Sequence, residues 1–86
     1  MSYKLTYSKN SSKEISKLDN LVKKKIKEAI ETNLFTNPLA NSLKLQNFEV
    51  KGARRLRVGN YRVIFYLDKT ILEILRVGHR REIYKG

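Results

Sequence analysis

The chain has 86 residues and a formal net charge of +11, from 19 Lys and Arg against 8 Asp and Glu; this fits one small domain over residues 1–86 whose surface seeks an anionic partner. With no cysteine and one histidine, it excludes a disulfide framework and the usual zinc constellations, so no metal or cofactor is expected. The longest apolar run, Val63-Ile64-Phe65-Tyr66-Leu67, falls far short of the roughly 20 residues that span a bilayer, and Met1-Ser2-Tyr3-Lys4 lacks the apolar core of a signal peptide, so a soluble, cytoplasmic protein with no membrane partner is expected.

Taken in chain order, Tyr3-Lys4-Leu5-Thr6-Tyr7 alternates as a short strand does. Ser11 or Ser12 then caps a helix with Glu14 in its first turn. Ile15, Leu18, Leu21 and Val22 follow at helical spacing, and Val22, Ile26, Ala29, Ile30 and Leu34 form a second apolar stripe. Leu18-Asp19-Asn20 between them predicts a break, hence a helical hairpin. Thr36-Asn37-Pro38 ends this region, because proline pushes the residue before it out of the helical basin. Residues 39–50 read as a short turn of helix plus loop. From Lys51 the period switches to two. Arg55-Leu56-Arg57-Val58, the turn Gly59-Asn60, and Tyr61 to Leu67 predict a hairpin, and a second runs through Asp68-Lys69-Thr70 into Ile71 to Gly78. The expected architecture is α+β: a short N-terminal strand, a helical hairpin, then a three-stranded antiparallel meander with the helices packed on one sheet face.

The charges are segregated. Nine of twelve lysines lie in residues 1–50, while all seven arginines fall between Arg54 and Arg81. The Lys23-Lys24-Lys25 run reads as a solvated helix face. Arginine differs, because its planar fork binds phosphate bidentately and stacks on bases, so the arginine-rich half points to nucleic acid. If Gly59-Asn60 is a two-residue turn, Val58 pairs with Tyr61, Arg57 with Arg62 and Leu56 with Val63. Leu56, Val58, Tyr61, Val63 and Phe65 then share the core face; Arg55, Arg57 and Arg62 share the other with Ile64 and Tyr66. Directly opposed like charges destabilise a sheet. Either the two guanidiniums splay into water, or Glu73 on the next strand neutralises one, or they form a phosphate cradle. Lys51, Arg54, Arg76 and Arg81 are further candidate phosphate contacts, with the face of Arg76 depending on the length of the second turn.

After the last strand, Val77-Gly78-His79-Arg80-Arg81-Glu82-Ile83-Tyr84 places His79, Arg80, Arg81 and Tyr84 near the sheet edge. Together they can supply proton transfer, charge stabilisation and base stacking. RNA cleavage through the 2′-hydroxyl needs a base, donors on the phosphoryl oxygens and a proton source for the leaving 5′-oxygen, and no metal. The acidic residues are scattered singly, whereas two-metal nucleases group their carboxylates.

Two segments, Arg54-Arg55-Leu56-Arg57-Val58-Gly59-Asn60-Tyr61-Arg62-Val63-Ile64-Phe65 and Val77-Gly78-His79-Arg80-Arg81-Glu82-Ile83-Tyr84, resemble the RelE/ParE superfamily of toxins from type II toxin–antitoxin systems. The helical hairpin around Leu18-Asp19 and the later Asn37-Pro38 fit the same pattern, and the RelE branch is the more similar. RelE-like toxins enter the ribosomal A site and cut mRNA there; ParE-like toxins poison DNA gyrase. The resemblance implies a RelE-like microbial RNase fold, a ribosome-dependent mRNA endonuclease that inhibits translation, and a RelB-like antitoxin partner in a hetero-oligomer. It further implies that Arg62 stabilises charge on the scissile phosphate, Arg80 assists the leaving group, and Tyr84 stacks on or orients the mRNA base. Family lysines on the strand before the turn match this chain at Arg55 and Ala53. One of those lysines is the proposed base, and arginine, whose guanidinium stays protonated, is a poor proton acceptor. Either Arg55 acts electrostatically or His79 takes the base role, as a C-terminal histidine does in some relatives. A ParE-like gyrase inhibitor without nuclease activity is the alternative reading.

Overall fold

The period-two sequence beyond Lys51 folds as two tight hairpins, and the other described elements pack against them. The computed structural model describes residues 3–34, 37–45, 48, 50–79 and 81. The elements are β1 (Lys4–Tyr7), α1 (Lys9–Ser16), α2 (Asn20–Ala29) running into a π-helical turn (Ile30–Leu34), β2 (Leu43–Lys44), β3 (Arg54–Val58), β4 (Tyr61–Asp68) and β5 (Ile71–His79). They form one five-stranded sheet in the order β1-β5-β4-β3-β2. β1 pairs parallel to β5, and every other pairing is antiparallel. The expected meander is therefore present as β3-β4-β5, with β1 and β2 added at its edges.

Gly59 adopts a φ of +58°, the left-handed region that glycine enters without steric cost, and the turn pairs Val58 with Tyr61, Arg57 with Arg62 and Leu56 with Val63. The second turn, whose length the sequence leaves open, has two central residues. Asp68 pairs with Ile71, leaving Lys69 at a φ of +54° and Thr70 as its two central residues. Further along, a bulge between Ile64 and Phe65 shifts the register: Phe65 faces Ile74, but Ile64 faces Arg76. Without that extra residue, Arg76 would stand opposite Val63 in the core. With it, Val77 takes that place and Arg76 faces away.

The helices cover one face. Ile26, Ile30 and Leu34 of the expected stripe are buried against Leu56, Val63, Phe65, Leu72, Ile74 and Val77, with Leu5, Ile15, Leu18 and Val22 packed around them. The break at Leu18-Asp19 lies between α1 and α2, as the two stripes require. The cap of α1 is Ser8, three or four residues before the expected Ser11 or Ser12: its side chain accepts from the Ser11 N–H at 3.1 Å. Ser11 is instead fully buried inside the helix, its hydroxyl donating to the Ile74 carbonyl at 2.8 Å. It helps to satisfy β5 where β1 has ended.

The described part of residues 39–50, expected as a short turn of helix plus loop, differs most from expectation. A turn over residues 38–41 leads into β2, a two-residue edge strand in which Leu43 pairs with Arg55 and Lys44 with Arg54. Residues 37–45 form a strap along the β3 edge of the sheet, leading to the sheet face opposite the helices. Leu45, Phe48, Val50 and Leu75 pack there on buried Ala53 and Ile64, making a second small apolar cluster. Among the described residues, no helix is long and apolar enough to cross a membrane.

Candidate nucleic-acid interface

The face away from the helices carries the arginines. Arg57 stands directly across from Arg62, the like-charged pairing that the two-residue turn predicts. Arg55, Arg57 and Arg62 line one side of a cleft of about 380 Å³, and Ala40, Asn41, Ser42 and Leu43 of the strap line the other. No acidic residue is among these seven. Glu73 pairs with Tyr66 and is not among the lining residues, so it does not neutralise the pair there.

Arg62 is buried, with 6% of its surface exposed. One terminal nitrogen, Nη1, donates to the carbonyls of Gly59 at 3.0 Å and Tyr61 at 2.9 Å. The hairpin's own backbone thus fixes the guanidinium, and the rest of its donor fork is available to the cleft. Arg57 is exposed. Arg57 and Arg62 opposed on a polar cleft repel each other, and a phosphate group is the kind of anion whose oxygens a bidentate arginine contact matches.

Two other candidates are engaged elsewhere. The guanidinium of Arg54 donates through Nε to Ser42 Oγ at 2.7 Å and through Nη2 to the carbonyls of Leu39 at 3.1 Å and Ser42 at 3.0 Å. Ser42 Oγ donates in turn to the Pro38 carbonyl at 2.5 Å. Arg54 therefore pins the strap to the sheet and is not presented as a phosphate ligand. Arg76 makes a bidentate ion pair with Glu14, at 2.9–3.2 Å, and Glu14 Oε1 also accepts the Val77 N–H at 2.9 Å. This latch ties α1 to the part of β5 that β1 does not reach, so Arg76 is a structural contact here and does not extend the cradle.

His79 is not brought to the cleft. β5 runs through Gly78 without turning, and His79 pairs with Tyr61, whose side chain belongs to the core face. The two rings meet edge to face, with centroids 5.7 Å apart and planes at 78°. His79 Nδ1 accepts the Arg81 N–H at 3.2 Å. Arg81 is exposed, and Lys51 lies in a separate pocket beside Tyr66. Arg80 and Tyr84 lie outside the described residues. What the sequence reading missed is the second wall, residues 40–43. Its only signal was the run of turn-forming residues from Asn37-Pro38 to Asn41-Ser42, which gives a turn but not where it docks.

A family model described as the ParE toxin of type II toxin–antitoxin system, parDE, matches residues 5–84. This chain belongs to the RelE/ParE superfamily of type II toxins. The toxin is 34% identical over 84 residues to Toxin RelE3 of Methanocaldococcus jannaschii, covering 94% of each chain. Its fold is similar to that in the RelBE2 toxin–antitoxin complex from Mycobacterium tuberculosis, with a TM-score of 0.82 at 27% identity over 93% of this chain and all of that one. The RelE–RelB complex from Pyrococcus horikoshii shares the fold at a TM-score of 0.75 and 23% identity, covering 95% of this chain and 99% of that one. The E. coli DinJ–YafQ complex does so at 0.76 and 24%, covering 99% and 100%.

Proposed function

We propose that this toxin is an mRNA endonuclease that acts in the ribosomal A site. The observation that carries the reading is the polar cleft lined by Arg55, Arg57 and Arg62, in which Arg57 stands directly opposite the buried Arg62. In the reaction, the 2′-oxygen attacks the adjacent phosphorus and the bond from phosphorus to the 5′-oxygen breaks. The proton lost from the 2′-hydroxyl is balanced by one gained at the 5′-oxygen, leaving a 2′,3′-cyclic phosphate and a 5′-hydroxyl. Negative charge on the phosphoryl oxygens grows along this path, and the fixed fork of Arg62 is placed to stabilise it. Arg55 and Arg57 hold the phosphate electrostatically, because guanidinium does not accept a proton at neutral pH. Arg80 and Tyr84 keep the roles the family resemblance implies, aiding the leaving group and orienting the base. The partner is a RelB-like antitoxin that covers the basic face in a hetero-oligomer, a reading supported by the relatives' own toxin–antitoxin complexes.

The description of the matching family model favours a second reading, a ParE-like toxin that binds DNA gyrase without cutting RNA. One experiment separates the two: mRNA cleavage in a translating extract, mapped by primer extension, for the wild type beside Arg62→Ala. Cuts at A-site codons that fall by about 100-fold or more in the variant are the expected result, the scale of losing one preorganised donor to a developing oxyanion. Intact mRNA with growth arrest on expression would transfer the assignment to gyrase.

A further inference from the structure

A second pocket opens on the same sheet face. Arg62, Ile64 and Tyr66 alternate along β4, so Tyr66 stands on the arginine side, about 13 Å from Arg62 at the usual rise of a strand. The apolar cluster over Ile64 separates the two sites. Around Tyr66 lies a pocket of about 540 Å³ lined by Lys44, Leu45, Phe48, Val50, Lys51 and Gly52. Gly52 has a φ of +85°, and a Cβ there would stand 3.3 Å from Tyr66 Cε2, so bare backbone packs on the ring and keeps the space beside it open. Lys44 and Lys51 are exposed at the rim, and neither forms an ion pair among the described residues.

Two aromatic rings half-buried in one pocket, with two ammonium groups at its mouth, match one ligand chemistry. A nucleobase stacks on an aromatic face whatever its identity, and its phosphate is held by lysine. The volume lies within the range of small-ligand sites, about 300–1,000 Å³. The separation from Arg62 lies within the few nucleotides that a single-strand-binding surface spans.

We propose that this pocket takes one unpaired nucleotide of the RNA strand held in the arginine cleft, its base against Tyr66 and Phe48 and its phosphate between Lys44 and Lys51. The proposal rests on the RNA-cleaving reading for its ligand, but its test needs neither ribosome nor cleavage. Adenosine monophosphate, and separately a short 2′-O-methyl oligoadenylate that cannot be cut, are titrated into the full chain and followed by amide chemical shifts. Adenosine monophosphate is expected to shift Lys44, Lys51 and Gly52 saturably, while inorganic phosphate leaves Gly52 unmoved. The oligoadenylate is expected to shift both this pocket and the arginine cleft, and to bind more tightly than the mononucleotide. Tyr66→Leu, and independently the rim double variant Lys44→Ala with Lys51→Ala, are each expected to weaken it about tenfold, the scale of one base stack. The rim variant removes only exposed side chains and so guards against a folding defect in the first. Shifts confined to Asn41, Arg55, Arg57 and Arg62, or a rim variant that binds the oligoadenylate like the wild type, would overturn the proposal. Intact mRNA in the extract would sink the cleavage reading and leave nucleotide binding at Tyr66 to be decided by the titration alone.

Discussion

At the scale of single residues, the decisive arrangement is Arg57 facing Arg62 across β3 and β4. Stability alone does not favour two opposed guanidiniums; an anion between them, as the proposed reaction requires, would relieve the repulsion. Arg62 is also fastened to the carbonyls of Gly59 and Tyr61, so its fork is positioned before any phosphate arrives and little conformational freedom is lost on binding. His79 illustrates the opposite outcome. It lies edge-on to Tyr61, on the other side of the sheet from the arginines. His79→Gln is therefore expected to cleave at the wild-type rate across about pH 5 to 8, where an essential histidine would impose its own titration; a rate that collapses or changes its pH profile in this variant would return His79 to the reaction. The arginine pairing was legible because a two-residue turn fixes register from the turn outward. The placement of His79 was not, because it depends on the bulge at Ile64/Phe65, which shifts every later pair by one and leaves no mark in residue type.

At the scale of elements, the cleft exists because a strap is held along the edge of the sheet. β2 contributes only two residues, and its grip is reinforced by Arg54 on Ser42 and Leu39 and by the apolar cluster under Leu45 and Phe48. Hydrogen bonds from a charged donor contribute about 1.5–3 kcal/mol. Arg54→Ala is expected to cost that much in urea unfolding and to raise hydrogen exchange at the Leu45 amide, which donates to the Ala53 carbonyl at 2.9 Å. Because one wall of the cleft then loosens, cleavage is expected to fall by about tenfold although Arg54 touches no phosphate. Arg54→Lys restores less than half of either loss, since one ammonium cannot reach a hydroxyl and two carbonyls in the same plane. Unchanged exchange at Leu45 in Arg54→Ala would show that the apolar cluster holds the strap without it. The helices and the two hairpins were readable from their periods of 3.6 and 2. A two-residue strand has no period, and an arginine used as a clamp looks in sequence like an arginine used as a ligand.

At the scale of the whole molecule, a net charge of +11 on 86 residues repels itself, and the described residues offset it with one ion pair, Arg76 with Glu14. Raising ionic strength from about 0.1 M to about 1 M shortens the Debye length from about 10 Å to about 3 Å. The melting temperature of the isolated toxin is expected to rise by about 4–8 °C over that range, the shift that corresponds to roughly 1 kcal/mol in a chain of this size. A melting temperature that falls with salt would instead mean that attractive pairs outweigh the repulsion. Affinity for a single strand of RNA is expected to move the other way, dropping steeply as counterion release loses its advantage.

The sheet order β1-β5-β4-β3-β2 sets the first described strand beside the last described one, with Lys4 paired to Ile71 and Tyr7 to Ile74. β5 also supplies Leu72, Ile74 and Val77 to the core and receives the Ser11 and Glu14 anchors of α1. Vectorial synthesis therefore yields no folded intermediate with a sealed core: until β5 has emerged, the N-terminal strand and helices have nothing to close upon. The core therefore closes only when β5 docks, in one step that joins the helices to both hairpins.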